Sequence, residues 1–337
     1  MRKDRYRVLV LTDHRGHSAE NSLYALLSAL VVHPRCAGVG VASRGVAQNA
    51  LFFADRRADQ LFAVDVSSDF VYDATGKIFS RGLRKVAASD YDIVFLRLPR
   101  PVPDAFLTWL PLAFGQHVLI NHPLGILTTS TKAFLLNFPD LCPPIRLCKT
   151  EENVTEFLAE HPQLILKPLQ DYGGRGILKV TEAAVDDGTQ LHAWEAFLPQ
   201  LRARFEQTPF LAMKFLSNVQ QGDKRILVVN GEIQAASLRL PAEGSWLCNV
   251  AQGGRSVPAQ PDADEAKIVA AIAPVLRQQG ILICGVDTLV DDQGQRVLSE
   301  INTLSVGGFP QAEQQTGQPI ISQTIEHFFN YADDTAK

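Results

Sequence analysis

Two carboxylates and one amide in the last quarter of the sequence are spaced to hold a hard cation. Glu300 and Asn302 stand two positions apart in Ser299-Glu300-Ile301-Asn302, and in an extended strand such residues share one face. Asp287 lies on an apolar run that the turn Asp291-Asp292-Gln293-Gly294 would fold back against that strand, setting its carboxylate beside the other two. Oxygen ligands of this kind suit Mg²⁺, with Mn²⁺ as an alternative, bridging nucleotide phosphates. The competing reading is a polar cluster on a solvent-facing sheet. It is disfavoured because Ile281, Leu282, Ile283, Val286 and Leu298 make both strands apolar on both sides, where unpaired carboxylates are costly.

Two weaker signals lie upstream. Lys167-Pro168 precedes Tyr172-Gly173-Gly174-Arg175-Gly176; a glycine hairpin lets backbone N–H groups approach phosphate oxygens while a nearby lysine offsets their charge. By itself such a hairpin is more often only a turn, and without a following Gly-Lys-Ser/Thr it is not a Walker A loop. Gly222-Asp223-Lys224-Arg225 opens another apolar run. A solvated turn is the bland reading; the chemical one sets Asp223 on a ribose hydroxyl and the planar guanidinium of Arg225 on a phosphoryl group. The eight histidines form no metal-binding pattern, no G-x-S-x-G elbow occurs, and Gly38-Val39-Gly40 lacks the rest of a dinucleotide fingerprint.

These residues need a scaffold, and the patterning supplies one. Short strands at 7–11, 37–42, 91–96 and 117–121 alternate with helical stretches. The clearest helix runs over 18–32, with Leu23, Leu26, Leu27 and Leu30 on one face and Ser18 placed to cap it. This predicts an α/β domain with a mainly parallel sheet, whose ligands sit at the carboxyl ends of strands, where Asp13, Arg97 and Asn121 fall. Beyond Pro123 the texture becomes α+β. A short helix over 131–137 carries Lys132, and strands follow at 164–168, 177–180 and 210–215. The turn Asn230-Gly231 marks a hairpin, a helix spans 265–279, and the Asp291–Gly294 hairpin closes the series. At 337 residues with 46% hydrophobic and 20% charged residues, two or three packed units are expected. A net charge of −4 without a basic stripe disfavours nucleic acid as a partner. Five cysteines without a C-x-x-C pair point to a reducing compartment. The apolar run Val8-Leu9-Val10-Leu11 is too short for a signal peptide, and nothing approaches the roughly 18 apolar residues of a membrane span. A soluble cytoplasmic protein without a membrane partner is expected; homo-oligomerisation is left open.

Taken in order, Ile165-Leu166-Lys167-Pro168-Leu169 with Gly173-Gly174, then 222–232 (GDKRILVVNGE), Arg239-Leu240-Pro241, Asn249-Val250-Ala251-Gln252-Gly253-Gly254-Arg255, Gly285-Val286-Asp287 and Glu300-Ile301-Asn302 resemble prokaryotic glutathione synthetase. The likeness covers Lys132 to about Phe329 and is loose before that. It implies an ATP-grasp fold behind an N-terminal pre-ATP-grasp α/β domain: 1–122 as that domain, 123–211 as the small subdomain, and 212–337 as the C-terminal subdomain with the metal site and a lid at 241–255. It also implies a ligase of glutathione biosynthesis that phosphorylates a carboxylate with ATP and lets an amine displace the phosphate. Its substrates would be a small carboxylate, here a γ-glutamyl peptide, and an amino acid. Carried over by motif, Lys132, Lys167, Gly173 and Gly174 meet the ATP phosphates, Met213, Lys214, Phe215 and Leu216 the adenine, and Asp223 the ribose. Arg225 and Arg239 act on the reacting groups, and Asp287, Glu300 and Asn302 hold magnesium. Asp13, Asn21, Ser22, Asn249, Gly253, Gly254, Ser305 and Gly308 face the substrates.

The sequence departs from the family on the acceptor side. Val-Thr-Ser-Pro-Thr-Gly after the metal asparagine is Thr303-Leu304-Ser305-Val306-Gly307-Gly308, the lid Arg-Gly is Leu247-Cys248, and Lys-Asp-Ser/Thr is Glu20-Asn21-Ser22. From these changes an acceptor other than γ-glutamylcysteine, or weak binding of γ-glutamylcysteine, is expected, with Leu247, Leu304 and Val306 making the acceptor pocket apolar. The alternatives are another ATP-grasp ligase, such as the ribosomal-protein or cofactor glutamate ligases, and a nucleotide-binding regulatory module with a lapsed acceptor site.

Overall fold

The computed structural model describes residues 3–169, 175–248 and 253–335. Three sheets follow one another along the chain. The first holds β1 (Tyr6–Thr12), β2 (Cys36–Ser43), β3 (Leu61–Asp65), β4 (Arg84–Val86), β5 (Ile93–Arg97) and β6 (Val118–Ile120), in the order β4-β3-β2-β1-β5-β6. It is parallel across β2, β1, β5 and β6, with β3 and β4 added antiparallel at one edge. Helices α1 (Ser22–Val32), α2 (Ala50–Phe53), α3 (Asp104–Ala113) and α4 (Pro123–Thr129) connect or follow these strands. Strand β1 is almost wholly apolar because both of its faces are covered, as central parallel strands require.

Helix α1 starts later than its sequence pattern suggests. Its N-cap is Asn21, whose side chain accepts from the Leu23 N–H at 3.0 Å, and Ser18 lies outside the helix. An asparagine caps as well as a serine, and here it stands next to the first buried turn. The stretch carrying Lys132 is a 3₁₀ turn over Lys132–Asn137 rather than an α-helix.

The second sheet contains β7 (Ile145–Cys148), β8 (Gln163–Pro168), β9 (Leu178–Thr181), β10 (Ala184–Asp186), β11 (Leu191–Ala193) and β12 (Phe210–Lys214), with α5 (Glu151–Glu160) and α6 (Trp194–Phe205) packed on it. Its strands pair antiparallel. Strand β12 crosses the 211/212 division drawn from the sequence, and its residues pair within this sheet.

The third sheet runs β15-β14-β13-β16-β17, built from β13 (Asp223–Val229), β14 (Glu232–Leu240), β15 (Arg255–Ala259), β16 (Ile283–Val290) and β17 (Arg296–Asn302). Helix α7 (Ala263–Gln278) opens with a capping box between Asp262 and Glu265; α8 (Phe309–Thr316) and α9 (Ile320–Thr335) end the described chain. The Asn230-Gly231 turn joins β13 to β14 in register, both residues having positive φ, as such a turn demands.

One side chain welds the first sheet to the third. Asn121, just past β6 and 6% exposed, donates to the carbonyls of Ile283 and Thr303 at 2.7 Å each. It accepts from the N–H groups of Leu282 and Ile283 at 2.8 and 2.9 Å. All four of its hydrogen-bonding positions are thereby used. Among the described residues no helix is long and apolar enough to cross a membrane.

Candidate active site

Alternation along β13 separates three neighbouring charges. Lys224 points to one face and pairs with the fully buried Glu265 of α7 at 2.8 Å, whereas Asp223 and Arg225 point to the other. Antiparallel register sets Arg239 opposite Asp223, Asp287 opposite Arg225, and Glu300 opposite Asp287. The result is an ionic cluster on one face of the third sheet. Arg225 makes a two-pronged pair with Asp287, one bond 2.7 Å long and one between Nε and Oδ1. Arg239 Nη2 donates to both oxygens of Asp223 at 2.6 Å and reaches Asp287 Oδ2 at 2.9 Å. The Asn302 carboxamide completes the cluster: turned with its nitrogen toward Glu300 it donates to Oε1 at 3.2 Å and accepts from Arg225 at 3.1 Å.

Burial is the strongest influence on both aspartates. It raises the Asp223 carboxyl, the like charge of Asp287 raises it further, and Arg239 opposes both. At Asp287 the two guanidiniums overcome burial and hold the carboxyl below its ordinary value. Among the described residues no three acidic, histidine or cysteine side chains stand ready as a metal site. Asp287 is engaged by two guanidiniums, and it is Asp287, Glu300 and the Asn302 amide that offer oxygen donors of the kind a divalent cation such as Mg²⁺ would take.

Two lysines approach the cluster from the other side. Lys167, on β8, donates to the Ser299 carbonyl at 3.1 Å; Lys132 stands 3.8 Å from Glu300. Desolvation pushes the Lys167 ammonium down, the like charge of Lys132 adds to this, and Glu300 works against it. The lysines and Glu300 therefore bring the second and third sheets together at one point.

From that point a pocket of about 650 Å³, open space at its mouth included, extends toward the end of β12. Met213, Lys214, Phe215 and Leu216 line it at one end, and Lys167, Asp223, Ser299 and Glu300 at the other. Its sides are apolar, made by Ile165, Ile177, Val219, Leu289, Trp246, Leu247 and Cys248. An apolar slot ending in a charged cluster suits a flat ring joined to phosphates.

Of the substrate-side candidates, Asp13, Asn21, Ser22, Ser305 and Gly308 gather elsewhere, toward the carboxyl edge of the first sheet, whereas Gly253 and Gly254 lie near Ala242 and Cys248 beyond β14. Asp13, 3% exposed, is raised by burial but pulled to about 2 by Arg15 and Arg44, which pair with it at 2.6 and 2.8 Å. Asn21 is engaged as the α1 cap. Ser22 Oγ accepts from the N–H groups of Gly308 and Phe309 at 2.9 and 3.2 Å, and so ties α1 to the loop after Asn302. Ser305 and Gly308 give that loop positive φ angles of 50° and 94°. Gly254 lies where a Cβ would come within 2.5 Å of the Cys248 carbonyl, and Gly253, φ +87°, precedes it. Gly173, Gly174 and Asn249 lie outside the described residues.

Two side chains have surroundings that the sequence did not specify. Arg97, 5% exposed, pairs with no carboxylate among the described residues; it donates to the Val306 carbonyl at 2.7 Å, its Nε has no partner, and burial lowers it to about 10. Its place at the end of β5 was the available signal. Leu247, expected in an acceptor pocket, lines the apolar slot. A loop side chain's destination depends on tertiary contacts that motif order does not carry.

Comparison with known proteins accounts for this arrangement. The prokaryotic glutathione synthetase ATP-grasp domain matches residues 131–317. Glutathione synthetase of Prochlorococcus marinus is 33% identical over 273 residues, 80% of this chain and 83% of that protein. The chain belongs to the prokaryotic glutathione synthetase family. It is an ATP-grasp ligase. Glutathione synthetase of Rhodopseudomonas palustris is 30% identical over 264 residues, 77% of this chain and 80% of that one. The fold also resembles D-cycloserine synthetase, with a TM-score of 0.64 at 13% identity, covering 98% of this family member and 100% of that chain.

Proposed function

We propose that the protein activates the carboxylate of a γ-glutamyl peptide with ATP and couples it to the amine of a small amino acid, giving ADP, phosphate and an extended peptide. The observation that carries this reading is the convergence of Lys132, Lys167, Asp223, Arg225, Arg239, Asp287, Glu300 and Asn302 at one end of the apolar slot. The slot takes the nucleoside, with Asp223 at the ribose. Lys132 and Lys167 offset phosphate charge, and Asp287, Glu300 and Asn302 hold Mg²⁺, which when bound neutralises phosphate oxygens.

A carboxylate oxygen of the peptide attacks the γ-phosphorus and ADP leaves. The amine then attacks the acyl carbon, the C–O bond to phosphate breaks, and the ammonium proton is lost. Arg225 and Arg239, steered by the carboxylates they already touch, are positioned to hold the transferring group. Most of the catalysis is placement and charge neutralisation. The buried, carboxylate-free guanidinium of Arg97 beside the Ser305–Gly308 loop supports an anionic acceptor at the carboxyl edge of the first sheet.

Lys167→Ala is expected to weaken ATP binding by roughly tenfold, the effect of losing one cation–phosphate contact of about 1.4 kcal/mol; calorimetry reading an unchanged Kd contradicts the phosphate role. The wider test is ADP release over a panel of γ-glutamyl peptides and amino acids. Release that requires both a γ-glutamyl peptide and an amine is the expected outcome. Release with other carboxylates only, or with none, rejects the substrate class.

A further inference from the structure

Three consecutive residues, Trp246, Leu247 and Cys248, make one wall of the slot. They follow β14 in the chain, outside any strand, yet the Trp246 and Leu247 side chains reach the end of the second sheet. The Trp246 indole N–H donates to Asp186 Oδ2 on β10 at 2.9 Å. Leu247 Cδ1 lies where a Cβ on Gly188 would come within 3.1 Å. Toward the third sheet the same segment is held by Gln220, which donates to the Ser245 carbonyl at 2.9 Å, and by Cys248, whose thiol reaches the Val219 carbonyl at 3.7 Å. Asp186 is itself oriented: its Oδ1 accepts from the Gly188 N–H at 2.8 Å. The segment spans the slot and is fastened on both banks.

An indole N–H is a donor only and seeks a partner when half-buried, and an ionised acceptor makes that bond stronger than a neutral one would. Swinging the indole away breaks this bond and opens the slot on the side facing the second sheet. We propose that Trp246 and Leu247 are nucleotide-positioning residues, closing the nucleoside end of the slot, and that the Asp186 hydrogen bond sets how tightly the nucleotide is held. The proposal rests on the slot being the nucleotide site and assigns to it residues that contribute neither to phosphate nor to metal binding.

The test uses Trp246 as its own reporter. Of the three tryptophans in the chain, Trp109 and Trp194 are replaced by phenylalanine, and the protein is titrated with Mg-ADP while calorimetry follows binding in parallel. The expected result is a saturable change in Trp246 emission at the calorimetric Kd. Binding by calorimetry with flat emission overturns the proposal and leaves the nucleotide site standing. Absence of binding by calorimetry overturns both. In a second arm, Asp186→Ala and Trp246→Phe each raise the ATP KM by about three- to tenfold with kcat unmoved, Asp186→Asn recovers part of the loss, and the double variant is no worse than the poorer single one because one bond is removed twice. Additive losses, or a fall in kcat at unchanged KM, contradict the proposal.

Discussion

Replacing Glu300 by glutamine is expected to lower kcat by about 10²- to 10³-fold while the protein keeps its fold. Glutamine has nearly the same shape, so packing between the second and third sheets is retained. The change removes one negative charge at the point where Lys132, Lys167 and Asn302 meet. Two consequences follow from that loss. A hard cation loses one of its two carboxylate donors, and the two ammonium groups lose the charge that opposes their mutual repulsion. Removing a single group aimed at charge developing in a transition state costs about 2.7–4 kcal/mol in comparable cases. Turnover by ADP release, with circular dichroism and thermal unfolding as controls, reads the effect. Wild-type turnover in a folded Glu300→Gln protein contradicts the metal assignment.

Asn121→Leu carries the largest expected effect on stability. Leucine fits the volume but satisfies none of the four backbone groups that Asn121 serves: the N–H groups of Leu282 and Ile283 and the carbonyls of Ile283 and Thr303. Each buried polar group left without a partner costs about 1–3 kcal/mol. Because the four share one side chain and relax together, the expected loss is about 3–5 kcal/mol rather than their sum. Thermal unfolding together with amide exchange at Leu282 and Ile283 measures it. Exchange and melting close to wild type would show that the first and third sheets are joined by other contacts.

What could be read in the sequence was local. The Asn230-Gly231 turn, the Asp291–Gly294 turn and the two-residue spacing of Glu300 and Asn302 are short-range signals whose geometry is dictated by backbone chemistry, and strand register did the rest for Asp287 and Arg225. The cap of α1 was missed because Ser18 and Asn21 are equally good caps, and only the start of the buried turn separates them. The antiparallel edge strands β3 and β4 are five and three residues long, too short for a periodic pattern. Asn121 and Arg97 were placed correctly at strand ends, yet their partners lie more than 160 residues away, and no motif encodes such distances. No motif placed Trp246 either: the contact that fixes it is with Asp186, 60 residues earlier.

The most direct measurement of the ligase chemistry follows oxygen atoms. A γ-glutamyl peptide labelled with ¹⁸O in the reacting carboxylate is turned over with Mg-ATP and an amino acid, and the released phosphate is examined by mass spectrometry or phosphorus NMR. Activation as an acylphosphate transfers one labelled oxygen into phosphate for each peptide bond formed, and that is the predicted result. Peptide formed with unlabelled phosphate, the ¹⁸O having left by another route, would contradict carboxylate phosphorylation at this site.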